Sequence, residues 1–372
     1  MCTSLGYKDA AGNAYYGRTL ELTVDLPYQA VYLPAGHVAT SKVGDGAPLQ
    51  FTARHAAIAV TMPDRVPTAD APVTVADLKV LEGLNDQGLT FSVLSYPAAG
   101  SARHEALAVT QAVLSASDLG AWALGQFATV ADVKAALASQ PIALVPLAIL
   151  GGVTSPFHYV LHDRTGAAIV VEFDKGEMHV YDNPVGVMTN GPRFDWHLTN
   201  LDNYTHLTNV DTPTATFGGY KASQPDSGIA TAGLPASNTS VGRFVRAVFY
   251  AQFTEKAATP DEAVQALAHI LNNFDRPRGV TVDYPQGGES HLEVKGLDTP
   301  GGAAYATEFT SWTSMSDLER KRLWVRDYRS LNFATFDLAK FAGRTEPAVI
   351  PLERVRSGVW DASDIMTGPK TA

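Results

Sequence analysis

Short apolar stretches bounded by turn residues fill much of the first hundred positions, a pattern that predicts strands. The opening is a predicted hairpin, with strands at 2–7 and 14–22 joined by turn residues at 8–13. Further strands are predicted at 29–33, 55–62 and 89–96, and a turn-rich surface loop at 63–72.

A helical spacing of apolar residues then appears in several segments. Helices are predicted at 118–127 and 130–137, with Ser117 and Thr129 as N-caps. A short helix is predicted at 194–204, and longer ones at 241–253 and 261–271. The last of these begins with a capping box, in which Thr259 is the N-cap, Pro260 the first helical residue and Glu262 the third.

The remaining segments alternate between these two patterns. Strands are predicted at 158–162, 168–173, 178–182, 305–316 and 323–329, and a long loop at 218–238. Strands and helices come in groups, without the strict β-α-β alternation of a doubly wound sheet, so we predict an α+β fold with packed sheets and outer helices. No change of composition marks a linker, so we expect one domain over residues 2–356 and a loose tail at 357–372.

Composition excludes several classes of partner. The chain has 372 residues, of which 45% are hydrophobic and 18% charged, as in ordinary globular proteins. Its net charge of −10 argues against a nucleic acid or an anionic membrane as partner. The longest apolar run, 142–153, is too short to span a bilayer and contains Pro146. The N-terminus lacks the features of a secretory signal, so we expect a cytoplasmic protein.

The one cysteine of the chain is Cys2. A methionine followed by a small residue is normally removed, which would leave Cys2 with a free α-amine beside its thiol. The reference pKa is about 8 for an α-amine and about 8.5 for a thiol, so the amine can accept the thiol proton near neutral pH. Cys2 is therefore a candidate nucleophile that carries its own base, although a merely packed cysteine fits the same two residues.

Arg18 and Glu21 lie on the second strand of the predicted hairpin, beside Cys2. An arginine in that place would stabilise a thiolate, and a carboxylate would hold the protonated amine. The pattern alone fits a surface ion pair between Arg18 and Glu21 equally well.

Other motifs with chemical meaning are missing. The sequence has no GxxxxGK[ST], HExxH, paired CxxC or GxSxG motif. His158 and His162 are four residues apart in a predicted strand, where residues at that spacing stand too far apart to favour a metal site. We therefore expect neither a metal nor an organic cofactor.

Several blocks together resemble the choloylglycine hydrolases, the family of bile salt hydrolases and penicillin V acylases. They are MCTSLGYKDAAGNAYYGRTLE at the start, EGLNDQGLTFSVLSYP from Glu82, FHYVLHDRTGAAIVVEF with YDNPVGVMTNGPRFDWHLTNLDNY, ASNTSVGRF and HILNNFDRPRG. Their order and spacing are similar to the family over roughly residues 1 to 340. The resemblance implies an αββα sandwich of the N-terminal nucleophile hydrolases and a mature N-terminal cysteine.

The resemblance also implies a role for each matching residue. Cys2 would be nucleophile and base, Arg18 would support the thiolate, and Glu21 would hold the α-amine. Asn190 would supply a side-chain amide to an oxyanion hole, together with the backbone N–H of Ser95. Arg243 would complete the polar network. Residue pattern alone gives Asn190 a different explanation, because Asn-Gly-Pro favours a turn.

Two positions depart from the family pattern. Glu21 stands where the family usually has aspartate, and Ser95 where bile salt hydrolases have asparagine and penicillin V acylases tyrosine. Both departures leave the substrate open, so a conjugated bile salt, penicillin V or an N-acyl homoserine lactone would fit the reaction class. They also leave open a catalytically inactive binding protein on this scaffold.

The expected reaction is hydrolysis of a linear amide in a small N-acyl substrate. Apolar residues after the first strands should line the acyl pocket, and Leu20, Ile58 and Phe91 are the candidates. The resemblance also implies a homotetramer.

Overall fold

Two antiparallel sheets form the centre of the molecule. The computed structural model describes residues 1–96, 112–284 and 305–356, with positions 358 and 363. The described strands are β1 Cys2–Lys8, β2 Ala14–Leu22, β3 Gln29–Leu33, β4 Val38–Ser41, β5 Leu49–Thr52, β6 Ala57–Pro63, β7 Leu78–Asn85, β8 Thr90–Ser95, β9 Leu114–Ser115, β10 Ile142–Ala143, β11 Pro146–Leu147, β12 Val153–Thr154, β13 Phe157–His162, β14 Ala168–Asp174, β15 Glu177–Asp182, β16 Val187–Met188, β17 Thr214–Phe217, β18 Tyr220–Ser223, β19 Phe309–Asp317, β20 Arg322–Asp327, β21 Ala334–Asp337 and β22 Ala348–Pro351. The described helices are α1 Leu119–Gln126, α2 Val130–Leu137, α3 Phe194–Leu201, α4 Ser240–Phe253 and α5 Pro260–Asn272.

The first sheet has the strand order β16-β1-β2-β19-β20-β21, and the second has β15-β14-β13-β8-β7-β6-β3-β22. The opening hairpin is confirmed, with Cys2 opposite Leu20 and Ser4 opposite Arg18. Because β2 also pairs with β19, the start of the chain lies in the middle of the first sheet.

Helices cover the outer face of each sheet. Helices α4 and α5 pack on β1, β2 and β19 of the first sheet, and α1 and α2 pack on β7, β8 and β14 of the second. Strands β1 and β8 contact each other across the space between the sheets. The predicted α+β fold is therefore confirmed as an αββα sandwich.

Helix starts follow their sequence signals in two cases out of three. The capping box before α5 forms, since the Thr259 hydroxyl accepts from the Glu262 N–H and the Glu262 carboxylate accepts from the Thr259 N–H. Thr129 caps α2. The prediction of Ser117 as the N-cap of α1 is wrong, because a 3₁₀ turn at Ala116–Asp118 precedes that helix and makes Asp118 the N-cap.

Twelve of the described strands were not predicted from the sequence: β4, β5, β7, β9 to β12, β16 to β18, β21 and β22. Lys79 and Glu82 interrupt the apolar run of β7, and the sequence gives no strand signal there. The predicted loop at 218–238 contains β18, which pairs with β17 as an exposed hairpin. The tail at 357–372 lies outside the described residues except for two positions, so that prediction and the domain boundary at 356 stay predictions.

Candidate active site

Cys2 begins the strand β1 and is buried, with 3% of its surface exposed. Its Sγ accepts a hydrogen bond from Arg18 Nη2 at 3.1 Å. The hairpin explains this contact, because Ser4 pairs with Arg18 and Cys2 pairs with Leu20 on the neighbouring strand. Proximity of a guanidinium favours the thiolate over the thiol.

The Arg18 side chain reaches across to the second sheet. Its Nη1 donates to the carbonyl of Val93 at 2.7 Å and to that of Leu81 at 3.2 Å. The pairing of β7 with β8 ends at Glu82 and Ser92. Leu81 and Val93 are the next residues on the two strands, so their carbonyls are available to Arg18. Burial lowers the pKa of Arg18, but the adjacent Cys2 sulfur and Glu82 carboxyl outweigh it, so the net shift is upward.

Arg243 and Asn190 hold the backbone of Cys2. Arg243 lies in the first turn of α4, and its Nη1 donates to the Cys2 carbonyl and to Thr3 Oγ1. Its Nη2 donates to Asn190 Oδ1 at 2.7 Å, and the same oxygen accepts from the Cys2 N–H at 2.8 Å. Burial lowers the pKa of Arg243.

Asn190 is fixed on three sides. Its N–H donates to the Ser240 hydroxyl at the start of α4, at 2.8 Å, and its carbonyl contacts Nε2 of His197 in α3, also at 2.8 Å. Its Nδ2 donates to the Ser95 carbonyl at 2.7 Å. An amide nitrogen carries two hydrogens, so one donor remains for a ligand beside Cys2.

Glu21 is buried behind the N-terminus. Its Oε1 accepts from Thr310 Oγ1 at 3.1 Å, and its Oε2 has no hydrogen-bond partner within the residues described. The Met1 ammonium donates to the Glu21 backbone carbonyl at 2.5 Å and to Glu308 Oε1 at 3.2 Å. With Met1 in place, the Cys2 nitrogen is a peptide amide. The Glu21 carboxylate hydrogen-bonds neither to this nitrogen nor to the Met1 ammonium.

The three candidate pocket residues lie in different places. Leu20 is opposite Cys2 in the hairpin. Ile58 faces the space between the sheets, since its neighbours Ala57 and Ala59 line a cavity beneath α1. Phe91 does not lie beside Cys2 but packs against Gly120 of α1, because side chains alternate along β8 and Ser92 takes the inner face. We correct the Phe91 prediction accordingly.

A cavity of about 570 Å³ opens beside Met1. It is lined by Met1, by residues 237–240 before and at the start of α4, and by six further residues, four of them polar or charged: Arg276, Thr281, Val282, Asp283, Ala306 and Glu308. Arg276 Nη1 donates to Glu308 Oε2 at 3.0 Å. Burial alone would raise the pKa of Glu308, but the Met1 ammonium and Arg276 lower it overall, so this carboxylate is ionised.

Sequence reasoning missed several polar residues of the site. Glu82 lies 4.0 Å from Arg18, and the ring of Trp312 lies 4.8 Å from the Arg18 guanidinium carbon. Thr310 and Glu308 come from β19 and the segment before it; Thr310 is 289 positions from Glu21, and Glu308 is 307 positions from Met1. The one local signal was the acid in the apolar segment KVLEGL, which predicts a buried carboxylate with a partner.

The two histidines of β13 have structural partners. His158 contacts Glu172 Oε1 and the Thr189 carbonyl, each at 3.0 Å, and His162 Nε2 lies 3.1 Å from the Gly186 carbonyl. In the described parts of the chain, no three metal-binding side chains cluster. Nor does any helix there have the length and apolar character needed to cross a bilayer.

Comparison with known proteins gives consistent results. The family model described as linear amide C–N hydrolases, choloylglycine hydrolase family, matches residues 2–292. The bile salt hydrolase/transferase of Clostridium perfringens (strain 13 / Type A) is 28% identical over 341 residues, which are 91% of this chain and 93% of that protein.

Solved structures share the fold. A variant of the conjugated bile acid hydrolase from Clostridium perfringens superposes with a TM-score of 0.78 at 23% identity, over 96% of this chain and 99% of that one. Penicillin V acylase from Agrobacterium tumefaciens gives a TM-score of 0.70 at 20% identity, over 96% and 94%. At these identities the likeness supports the sandwich architecture.

Proposed function

Because the chain belongs to the choloylglycine hydrolase family, the linear amide C–N hydrolases, we propose that Cys2 is the nucleophile that cleaves its N-acyl amide substrate. The observation that carries this proposal is the convergence of three side chains on buried Cys2: Arg18 donates to its sulfur, Asn190 accepts from its N–H and Arg243 donates to its carbonyl. Three separate parts of the chain supply these groups, and Cys2 carries the one thiol of the chain.

The proposal requires removal of Met1. Its loss converts the Cys2 nitrogen from an amide into an amine, which can accept the thiol proton. The Cys2 nitrogen already lies 2.8 Å from Asn190 Oδ1, so an ammonium there keeps that acceptor. The Oε2 of Glu21, which has no hydrogen-bond partner in the described parts of the chain, is the second acceptor that we assign to it.

The proposed reaction has two stages. The Cys2 thiolate, stabilised by Arg18, attacks the substrate carbonyl carbon, and the Asn190 side-chain amide and the Ser95 N–H donate to the resulting oxyanion. The C–N bond breaks, the leaving amine takes a proton from the Cys2 ammonium, and the acyl group stays on sulfur as a thioester. Water then attacks the thioester with the Cys2 amine as base, which releases the acid and restores the thiol.

The substrate class follows from the relatives and stays a proposal. Relatives include a bile salt hydrolase/transferase, and a structural neighbour is a penicillin V acylase. We propose a conjugated bile salt or penicillin V type amide, with Leu20 and Ile58 near the acyl group. An N-acyl homoserine lactone is the second candidate, since Ser95 has neither of the two side chains that the family uses there. We also propose a cytoplasmic homotetramer.

The test is amine release from a panel of acylated amines that share these acyl groups. The mature wild-type protein should release amine, and Cys2→Ala should lose at least about 10⁴-fold in rate, because the variant has no thiol to attack the amide. Intact mass should show Met1 absent from the active form.

The matched control is Ser4→Ala, which alters a buried hydroxyl two residues along β1 that donates to the Met188 carbonyl. It should keep most of the activity. Equal activity in wild type and Cys2→Ala would contradict the nucleophile assignment. Tight binding of a panel compound without turnover would favour a binding protein, and full activity with Met1 retained would contradict the role of the amine.

A further inference from the structure

The two terminal nitrogens of Arg18 serve two different ionisable groups. Nη2 donates to Cys2 Sγ at 3.1 Å, while Nη1 lies 4.0 Å from Oε2 of Glu82. Glu82 is completely buried in β7, between the two sheets. A thiolate and a carboxylate thus share one guanidinium.

Glu82 is held by hydroxyl groups and not by a full ion pair. Ser92 Oγ donates to Oε2, and the Tyr16 hydroxyl donates to Ser92 Oγ at 2.7 Å. Its Oε1 has no hydrogen-bond partner among the described residues. Burial raises the pKa of Glu82 to about 8, against the lowering effects of Arg18 and Ser92. The acid therefore changes charge in the range where a thiol also ionises.

Few other charges face this acid. From β2, Tyr16 and Arg18 face it, and Glu21 acts on it through Arg18. From β13, His162 packs its ring on Tyr16, and burial lowers the pKa of His162 to about 4, so that ring is neutral.

The remaining neighbouring elements add no free charge. Strands β6 and β8 and helix α1 contain no titratable residue. The arginines of β20 pair with Asp337 and Asp275, and Lys79 of β7 itself pairs with Asp118. Arg18 is accordingly the cation whose charge Glu82 can draw on.

We propose that Glu82 is a positioning residue that decides how much of the Arg18 charge is available to the Cys2 sulfur. A neutral Glu82 leaves the guanidinium to the thiolate. An ionised Glu82 competes for it, so ionisation of either group makes ionisation of the other less favourable. The inference rests on the proposed role of Cys2, but its test measures thiol chemistry without any amide substrate, so the two proposals can fail separately.

The test is the pH dependence of Cys2 alkylation by iodoacetamide, followed by intact mass from about pH 5 to about pH 10. Cys2 is the sole thiol, so every adduct reports on it. Glu82→Gln keeps the shape and an acceptor for Ser92 but stays neutral. Its alkylation midpoint should lie about one pH unit below that of wild type, which corresponds to about tenfold faster alkylation on the rising limb.

Three further variants separate charge from structure. Ser92→Ala removes a donor that favours ionised Glu82, so it should move the midpoint in the same direction by less. Glu82→Asp keeps an acid and should stay close to wild type. Glu172→Gln changes an equally buried acid, bonded to His158 and not to Arg18, and should leave the midpoint unchanged.

The inference would be overturned if the pH profiles of alkylation for Glu82→Gln and Ser92→Ala both coincided with that of wild type. A midpoint moved to higher pH in Glu82→Gln would also overturn it, because that result would mean that the acid is needed merely to keep Arg18 in place. If Glu82→Gln does not fold, the direction of the Ser92→Ala shift decides between these outcomes.

Discussion

At the scale of single residues, the site is a set of buried charges that share partners. Asn190 Oδ1 accepts from both Cys2 and Arg243, and Arg18 serves both Cys2 and Glu82. Removal of one member leaves a buried polar group without a partner, which costs more than the bond itself contributes. We expect substitutions here to be strongly coupled.

Glu21 gives a direct prediction at this scale. Glu21→Gln keeps an oxygen for Thr310 but removes the negative charge proposed to hold the Cys2 ammonium. We expect kcat/KM to fall by about 10²-fold, since the Cys2 ammonium would then lose a hydrogen-bond acceptor and its charge partner. Steady-state kinetics on the best amide of the panel measures this.

The comparison variant is Glu21→Asp, which keeps the charge and shortens the side chain. It should be less impaired than Glu21→Gln. If the two variants lose activity equally, length and not charge matters at this position, and Glu21 does not act on the ammonium.

The acid Glu82 also makes stability depend on pH. Its pKa rises to about 8 in the folded chain, from the ordinary value of 4.5. Between these two values the folded state keeps a proton that the unfolded state loses, so this group lowers the free energy of unfolding as pH rises. This loss of stability is absent below about pH 4.5 and complete above about pH 8.

Urea unfolding at several pH values tests this effect. Glu82→Gln should be at least as stable as wild type near pH 8, and its stability should decline less between about pH 5 and about pH 8. A steeper decline in the variant would contradict the upward pKa shift.

At the scale of elements, helix packing places the strands that carry the candidate site. Helix α4 carries Arg243 in its first turn and rests on β1, and α5 rests on β2, which carries Arg18 and Glu21. Gly17 allows the close approach of α5, because a Cβ at that position would come within 2.7 Å of Leu271 Cδ1 and 3.2 Å of Leu267 Cδ2. Both leucines are fully buried.

Gly17→Ala should therefore destabilise the fold by about 1–3 kcal/mol, as expected for overpacking of a filled core. Urea unfolding measures the difference. Gly219→Ala is the matched control, since nothing lies within 4 Å of its added Cβ. An effect of Gly17→Ala no larger than that of Gly219→Ala would show that the contact between β2 and α5 can relax.

At the scale of the whole molecule, one surface feature bears on assembly. The hairpin of β17 and β18 exposes Phe217 (68%) and Tyr220 (70%) as neighbours across its tip. Exposed apolar groups of this kind often mark contact with another protein. This agrees with the homotetramer that we propose.

Light scattering coupled to size-exclusion chromatography tests the assembly. We expect a mass of four times the 39.6 kDa of one chain, and a lower mass for Phe217→Ser combined with Tyr220→Ser. Val349→Ser changes an exposed apolar residue of β22 and should leave the mass unchanged. A monomer for wild type at micromolar concentration would contradict the tetramer.

Sequence alone determined the local features of this protein. The opening hairpin, the capping box of α5 and the grouping of strands and helices follow from short-range rules of turn chemistry and periodicity. The single cysteine at position 2 and the neighbouring Arg18 follow from the sequence as well. Such features could be predicted because the interactions that create them join residues close together in the chain.

Tertiary structure decided the rest of the candidate site. Resemblance named Asn190 and Arg243, but only the pairing of β16 with β1 and the packing of α4 on β1 bring them to Cys2. Thr310 and Glu308 carry no local signal of their contacts, and the segment around Glu82 predicts a buried acid without identifying Arg18 as its partner. Phe91 faces the helix layer because of the alternation along β8. Contacts across the two sheets depend on which strands pair and where their pairing ends, and those choices are set by burial of the whole core.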